Sequence, residues 1–239
     1  DNFEEIDLEK INLSELPELE QFMLHKVYSL NENFKNYFNN YDFHNLYKEL
    51  LNFCTVDLSA FYFDIRKDSL YCDSKDSKKR QSTIILLNVI LKSLLRWFAP
   101  ILSFTTEEIY RLIMNDDKSI HLTKFLEFPK NFKNENLNQK WLELIKIRNV
   151  CNISIEEKRA SKEIGSSLEA SLKINLDKKL NKISKDVDFS ELCITSSAEI
   201  SYLENSETKV QTTKAEGSKC QVCWKITKDA CSRKTCPQQ

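Results

Sequence analysis

Only two of the 239 residues are glycine, Gly165 and Gly217, and this scarcity limits both the fold and the chemistry of the chain. At average usage of about 7%, roughly 17 glycines would be expected. A loop that cradles a phosphate needs several glycines close together, because its backbone must approach the anion and adopt positive φ. The two glycines are 52 positions apart. The sequence therefore excludes the glycine-rich nucleotide-binding loops and the G-x-S-x-G nucleophile turn.

The first half of the chain has the apolar spacing of long helices. Apolar residues recur every three or four positions after Pro17 and again over residues 42–63 and 77–98. The third helix should stop before Pro100, since proline disfavours helical backbone in the residue that precedes it. The run TTEE at 105–108 has the form of a capping box and predicts a short fourth helix to Met114. These helices predict a bundle over residues 1–118, with a polar connector over 66–80.

The most apolar segment, residues 83–102, is interrupted by Asn88, Lys92 and Arg96. A charge at membrane depth costs about 3 kcal/mol, so this segment is expected to be a buried helix and not a membrane span. No signal peptide is visible, and the chain opens on Asp1 and not on Met. We expect it to be part of a longer polypeptide.

The pattern changes beyond residue 118 and predicts a small α+β junction domain over residues 119–213. Helical spacing covers 137–164 and should end at Gly165 as a C-cap. The runs SLKINL (171–176) and LCITS (192–196) alternate as strands do. The polar stretch 197–213 is expected to hold an edge strand and a linker.

Residues 214–239 hold half of the eight cysteines, in the spacing C-x2-C-x7-C-x4-C. Four thiolates at such spacing can surround a tetrahedral zinc ion, and metal binding would supply most of the folding energy of so short a segment. Disulfides are the alternative, but they are rare in chains without a secretory signal. The predicted ligands of this single structural zinc are Cys220, Cys223, Cys231 and Cys236.

The remaining cysteines, Cys54, Cys72, Cys151 and Cys193, are scattered, and three of them fall on apolar faces. Buried small-hydrophobe packing is the expected role of Cys54, Cys151 and Cys193. The histidines cluster with neither acids nor cysteines, so no catalytic residue is predicted. Residues 205–239 carry seven bases against three acids, which is compatible with a polyanionic partner or with an ordinary solvated surface.

Seven runs of residues are distinctive when they are taken in order: YDFH (41–44), NFCTVDLS (52–59), FYFDIRKD (61–68), APILSFTTEEI (99–109), SIHL (119–122), KEIGSSLEA (162–170) and KCQVCW (219–224). Together they resemble the C-terminal part of bacterial isoleucyl-tRNA synthetases. The resemblance begins in the helical half and covers nearly the whole chain. K-E-I-G-S-S-L-E-A followed by a C-x2-C-W knuckle favours the isoleucine enzymes over the leucyl, valyl and methionyl enzymes, which share the helical domain.

The resemblance implies an anticodon-binding helical domain followed by a zinc finger, within an enzyme that attaches isoleucine to its tRNA using ATP. It implies isoleucine tRNA as partner, together with upstream catalytic and editing domains, in a cytoplasmic monomer that does not bind membranes. The ATP-binding signatures HIGH and KMSKS are absent, so this stretch is expected to be inactive alone. The family closes its zinc site with a second C-x2-C after a longer spacer, which leaves Cys231 and Cys236 as the weaker pair of ligands.

Recognition of a tRNA loop uses base stacking, with Lys and Arg on phosphates. Trp224 beside the knuckle is a candidate stacking residue, with covering the zinc site as its alternative role. For each basic candidate, an ordinary solvated surface charge is the favoured alternative. The candidate phosphate contacts are Arg66, Lys67, Lys78, Lys79 and Arg80.

Two other classes of protein stay open. The first is a standalone zinc-finger module that binds nucleic acid without enzyme activity, and the second is a helical scaffold with incidental cysteines. The finger also resembles that of formamidopyrimidine-type DNA glycosylases, but those begin with Pro-Glu and this chain begins Asp1-Asn2. A reading frame that continues upstream into a HIGH-containing domain would decide for the synthetase.

Overall fold

The computed structural model describes residues 6–114, 118–204, 207–229 and 231. The chain divides into two compact units. Unit 1 comprises the residues up to 60 together with 75–135, and unit 2 comprises 61–74 together with the residues from 136 onward. The three predicted domains, 1–118, 119–213 and 214–239, stay a prediction.

The predicted class, mainly helical with a small sheet region, is confirmed. The strands are β1 (Ala170–Asp177), β2 (Ser197–Leu203), β3 (Lys209–Lys214), β4 (Ser218–Lys219) and β5 (Ile226–Thr227). The α-helices are α1 (Glu18–Asn39), α2 (Phe43–Asn52), α3 (Asp64–Cys72), α4 (Lys78–Phe98), α5 (Ser103–Met114), α6 (Glu135–Ala160), α7 (Asn181–Ser184) and α8 (Phe189–Leu192).

Unit 1 is organised around the buried indole of Trp97 on α4. The rings of Phe34 and Phe53 meet it edge-on, with centroids 4.9 and 5.9 Å away. The indole nitrogen donates a 3.0 Å hydrogen bond to the side chain of Asn31, whose own amide donates to the Leu126 carbonyl at 2.9 Å. Since a buried polar group without a partner is costly, this chain of bonds fixes how α1, α4 and the segment around residue 126 pack together.

The second helical run is longer than the apolar spacing predicts. Residues Phe53–Phe63 form a π-helix, and α3 follows it without a break. A π segment shifts the buried face around the helix, so an α-helical spacing cannot be followed through it. Polar residues of α3, among them Arg66 and Ser69, are buried. The predicted connector over 66–80 is therefore wrong in its first half, and the true connector is residues 73–77.

Unit 2 is built around a three-stranded sheet in the order β2-β1-β3, with β1 parallel to β2 and antiparallel to β3. Alternate residues of β1 are fully buried, which is the pattern of a strand with one face in the core. The hydroxyl of Ser154 on α6 lies 2.7 Å from that of Thr212 on β3. The second sheet is the antiparallel ribbon of β4 and β5.

Two local predictions for unit 2 are wrong. Helix α6 ends at Ala160, and the left-handed residue that follows it is Lys162 (φ 60°) and not Gly165. The run LCITS is the end of α8 and a turn in which Ile194 has φ 57°. Its apolar residues are buried in that turn, so the alternation reflects burial without strand pairing.

Within the described ranges no helix is long and apolar enough to cross a membrane. Residues 83–102, the most apolar stretch of the sequence, lie largely in α4 of unit 1. Asn88 of this stretch is buried, and its side chain donates to the Ile84 carbonyl at 3.0 Å. The helix thus accommodates its polar residues within the protein.

Unit 1 should lose stability in mild acid through His25. This buried ring accepts a 2.9 Å hydrogen bond at Nδ1 from the Asn134 amide, and burial lowers its pKa although Glu135 acts in the opposite direction. Below the usual pKa of about 6.5 the unfolded chain binds a proton that the folded chain does not, so stability falls as the pH drops. We expect the H25N variant, measured by urea unfolding, to lose less stability than wild type between about pH 7.5 and about pH 5.5.

The matched control is H44N, which alters an exposed histidine on α2. It should lose as much stability as wild type over the same pH interval. Identical losses in H25N and H44N would show that His25 does not carry the pH dependence.

Candidate metal centre and nucleic-acid contacts

Three of the four predicted metal ligands meet in unit 2. The sulfurs of Cys220, Cys223 and Cys231 all lie within 4.8 Å of one another, and those of Cys223 and Cys231 are 3.8 Å apart. Sulfurs bound at about 2.3 Å to a tetrahedral zinc are themselves about 3.8 Å apart. The three thiols therefore fit a zinc ion. Cys236 lies outside the described residues.

The backbone at the first cysteine pair forms a tight knuckle. The Val222 amide points at the Cys220 sulfur, 3.4 Å away, and the Trp224 amide donates to the Cys220 carbonyl at 3.0 Å. The ribbon closes behind them, where the Cys220 amide donates to the Lys225 carbonyl at 2.9 Å. Trp224 takes the left-handed conformation (φ 62°) that this turn requires. Amide donors aimed at sulfur stabilise the thiolate form that a metal needs.

The thiols are also screened from water. Burial raises the pKa of Cys223 to about 12, and the neighbouring thiols of Cys220 and Cys231 add to this rise. A hydrogen bond from the Lys225 backbone to the Cys223 sulfur lowers this pKa. Such a thiol is neutral near pH 7, so a cation is the group that would stabilise its thiolate.

A fourth thiol, which no spacing in the sequence indicates, lies beside these three. Cys72, the last residue of α3, is buried in one cluster with Cys220 and Cys223, against which Val222 and Cys231 also pack. It comes 148 positions before Cys220. No sequence spacing could have indicated this neighbour, because it depends on helix continuing into a segment that looks like a polar connector.

A second missed residue, Ser196, attaches the ribbon to the sheet. Its hydroxyl accepts a hydrogen bond from the Ile226 amide at 2.6 Å and donates to the Leu168 carbonyl. Its own amide donates to the Ala170 carbonyl at 3.0 Å, at the start of β1. These bonds attach the knuckle to the three-stranded sheet within unit 2.

Arg66 is not a surface residue. Its side chain is only 4% exposed, and its guanidinium forms an ion pair with the Glu191 carboxylate at 2.7 Å within unit 2. A guanidinium held in this way cannot reach a phosphate at the surface without breaking the pair. The prediction of Arg66 as an exposed phosphate contact is corrected accordingly.

Of the other basic candidates, Lys67 lies within α3, and Lys78, Lys79 and Arg80 form the first turn of α4. Lys67 is half exposed and pairs with Asp64 at 2.6 Å. Lys78 is exposed at the first position of α4, and Lys79 and Arg80, the next two residues, are half-buried. Contact between Lys67 and a phosphate would require this lysine to exchange the Asp64 carboxylate for the phosphate.

Trp224 presents its ring to solvent. The residue is 60% exposed, and the Lys219 ammonium sits 5.7 Å from the ring centroid. An exposed indole with a cation beside it offers both a stacking surface and a positive charge, the combination on which nucleic-acid bases and phosphates bind.

The remaining cysteines are not part of this centre. Cys151 and Cys193 are buried in unit 2, with their thiols hydrogen-bonded to each other, and Cys54 is partly buried in unit 1. Burial is confirmed for the first two and is partial for Cys54.

Comparison with known families defines the class of protein. The family model described as "Anticodon-binding domain of tRNA ligase" matches residues 20–174, well over half of the chain. The chain belongs to this family.

Individual relatives narrow the class further. The chain is 66% identical over 98% of its length to the isoleucine–tRNA ligase of Pelagibacter ubique, 38% over 92% to that of Agrobacterium fabrum, and 36% over 96% to that of Bartonella henselae. It covers 26%, 24% and 25% of those proteins, respectively. The chain thus spans about a quarter of the length of the curated relatives that it matches.

Replacing Arg66 should destabilise unit 2, because removal of one partner leaves the other charge without its counterion. We expect R66A to lower the free energy of unfolding by about 3 kcal/mol, as for a buried ion pair. The adjacent K67A variant breaks an exposed pair and should cost about 0.5 kcal/mol or less. Denaturant unfolding of both variants measures the difference, and equal losses would contradict the structural role of Arg66.

Proposed function

We propose that this chain is the tRNA-binding, C-terminal portion of an isoleucine–tRNA ligase. In this proposal it binds the anticodon end of isoleucine tRNA and has no catalytic activity alone. Other domains of the same polypeptide activate isoleucine with ATP, transfer it to the tRNA and edit errors. The whole protein is proposed to act as a cytoplasmic monomer.

The observation that carries this proposal is the 66% identity to an isoleucine–tRNA ligase over nearly the whole chain. The anticodon-binding family model, which covers most of the helical region, supports the assignment to the anticodon end. The equivalent part of a valyl or leucyl enzyme is disfavoured, because the relatives compared above all carry the isoleucine name.

We further propose one structural zinc, held by Cys220, Cys223 and Cys231, with Cys236 as the fourth ligand. The spacing of the three described sulfurs and the amide aimed at Cys220 support it. Zinc bound here would hold the short segment 214–239 in its fold, since few apolar residues are present to do so.

The proposed tRNA contacts are Lys67, Lys78, Lys79 and Arg80 for phosphates and Trp224 for a base. Loop bases of RNA stack on exposed aromatic rings, and lysines hold the neighbouring phosphates without reading sequence. The exposure of Lys78 and of the Trp224 ring supports these roles.

A standalone zinc-finger module without enzyme activity is the second candidate. The basic charge of residues 205–239 is compatible with it. The high identity along the helical region disfavours it, since a finger alone would not require those helices to match. The reading frame that precedes Asp1 distinguishes the two candidates.

The proposal predicts zinc and cognate tRNA binding in the same sample. We expect about one zinc per chain by elemental analysis, as for a closed structural site. Fluorescence anisotropy should show tighter binding to isoleucine tRNA than to the same tRNA with an exchanged anticodon, because the unpaired loop bases are the part that is read.

The zinc content and the preference for the cognate anticodon test separate parts of the proposal. Zinc without a preference for the cognate anticodon would contradict the tRNA proposal and leave a general nucleic-acid finger. A preference without zinc would contradict the metal proposal alone.

Removing the Trp224 ring should weaken tRNA binding. Loss of one base stack costs about 1–3 kcal/mol, so W224A should bind isoleucine tRNA roughly 5- to 150-fold more weakly. W224F keeps an aromatic surface and is the matched control. Loss of zinc from W224A, measured on the same samples, would instead show that the indole covers the metal site.

A further inference from the structure

Cys72 makes a specific contact with the knuckle and does not simply fill space beside it. Its thiol donates a hydrogen bond of 3.6 Å to the carbonyl oxygen of Val222, the residue at the centre of the C-x2-C turn. It also packs in one buried cluster with Cys220 and Cys223. The hydrogen bond and the shared cluster both join the end of α3 to the C-x2-C turn.

Val222 is held at both of its backbone polar groups. Its amide points at the Cys220 sulfur, and its carbonyl accepts from the Cys72 thiol. Because the two groups flank one residue, fixing the carbonyl restricts the rotation that would turn the amide away from the sulfur. The Cys72 thiol thus influences the hydrogen bond between the Val222 amide and the sulfur of Cys220, which is a candidate metal ligand.

Helix α3, which ends at Cys72, is anchored within unit 2 by ion pairs. Near its start, Arg66 is buried in the ion pair with Glu191, and Asp64 faces the guanidinium of Arg148 at 3.9 Å. The Arg148 side chain also donates to the Leu192 carbonyl at 2.9 Å. A donor at the end of a helix anchored in this way has a defined position.

We propose that Cys72 is a positioning residue of the metal site, whose thiol orients the Val222 peptide groups so that the turn holds Cys220 ready for the metal. This inference rests on the proposed zinc at the knuckle. Groups that hydrogen-bond behind metal ligands commonly change metal affinity about 10- to 100-fold when they are lost.

The geometry distinguishes positioning from direct ligation. Cys72 stands outside the group of three described cysteines whose sulfurs lie mutually within 4.8 Å. Its hydrogen bond to a carbonyl requires the protonated thiol, whereas a ligand must be a thiolate. Cys72 therefore acts on the site as a neutral donor.

Two substitutions separate the hydrogen bond from packing. C72V keeps a buried group of similar size without a donor, and C72S keeps a donor in the same position. We expect C72V, in the full chain, to lose zinc to a chelating dye about 10-fold or more faster than wild type. C72S should recover most of this loss. C54V is the matched control, since it changes a thiol in unit 1 and should leave zinc release unchanged.

Cobalt substitution provides a second readout. Absorption from thiolate-to-cobalt charge transfer scales with the number of bound thiolates, and C72V should match wild type in this intensity. Reduced intensity in C72V would show that Cys72 is a ligand and would overturn the positioning role. Unchanged release kinetics in C72V would overturn the proposal as well.

Failure of the metal proposal can be distinguished from failure of the proposed role of Cys72. Wild-type chain that binds neither zinc nor cobalt would refute the metal site itself. Wild type that binds metal, together with a C72V variant that releases it at the wild-type rate, would refute only the role of Cys72. Far-ultraviolet circular dichroism of each variant shows whether its fold is intact. If C72V does not fold, C72A, which also removes the donor, replaces it, and zinc release from C72A at the wild-type rate would overturn the proposal.

Discussion

Burial of charged and polar groups on α3 is the constraint on which the candidate metal site depends. The helix places the buried Arg66 guanidinium in an ion pair with the partly exposed Glu191 carboxylate and ends in the buried Cys72. A buried charge is tolerated only when its partner is in place, so α3 and the segment around Glu191 hold each other. The knuckle then packs against the end of this helix, and its turn is oriented by a hydrogen bond from Cys72.

In each unit a buried polar side chain makes a specific hydrogen bond, although the side chain differs between the two units. In unit 1 the indole of Trp97 is buried, and its nitrogen selects one arrangement by bonding to Asn31. In unit 2 the guanidinium of Arg148 donates to the Leu192 carbonyl and stacks over the ring of Phe61, 5.4 Å from its centroid. Apolar packing supplies most of the stabilisation in both units, while these polar bonds specify the arrangement because each would be costly if left unpaired.

Much of the fold could be predicted where the evidence was local, such as an apolar repeat or a residue that favours the start or end of a helix. Ser77 and Pro17 mark helix starts, and the alternation of residues 171–176 marks β1. Prediction failed around Ile194, where buried residues in a turn alternate as they would in a strand. It also failed in the π-helix, where the number of residues per helical turn changes. Of the candidate metal site, the C-x2-C pair and Cys231 were visible in the sequence, and the structure brings their sulfurs together.

The sequence by itself determined the class of the chain: two glycines, helical spacing, a terminal cysteine cluster and runs of residues typical of isoleucyl-tRNA synthetases. These are properties of residue type and spacing, which need no knowledge of distant contacts. Only the tertiary structure decided that Arg66 is an internal ion-pair partner and that Cys72 belongs beside the knuckle. Both results depend on contacts more than 100 positions apart in the chain, and such contacts are set by how the elements pack and not by any local pattern.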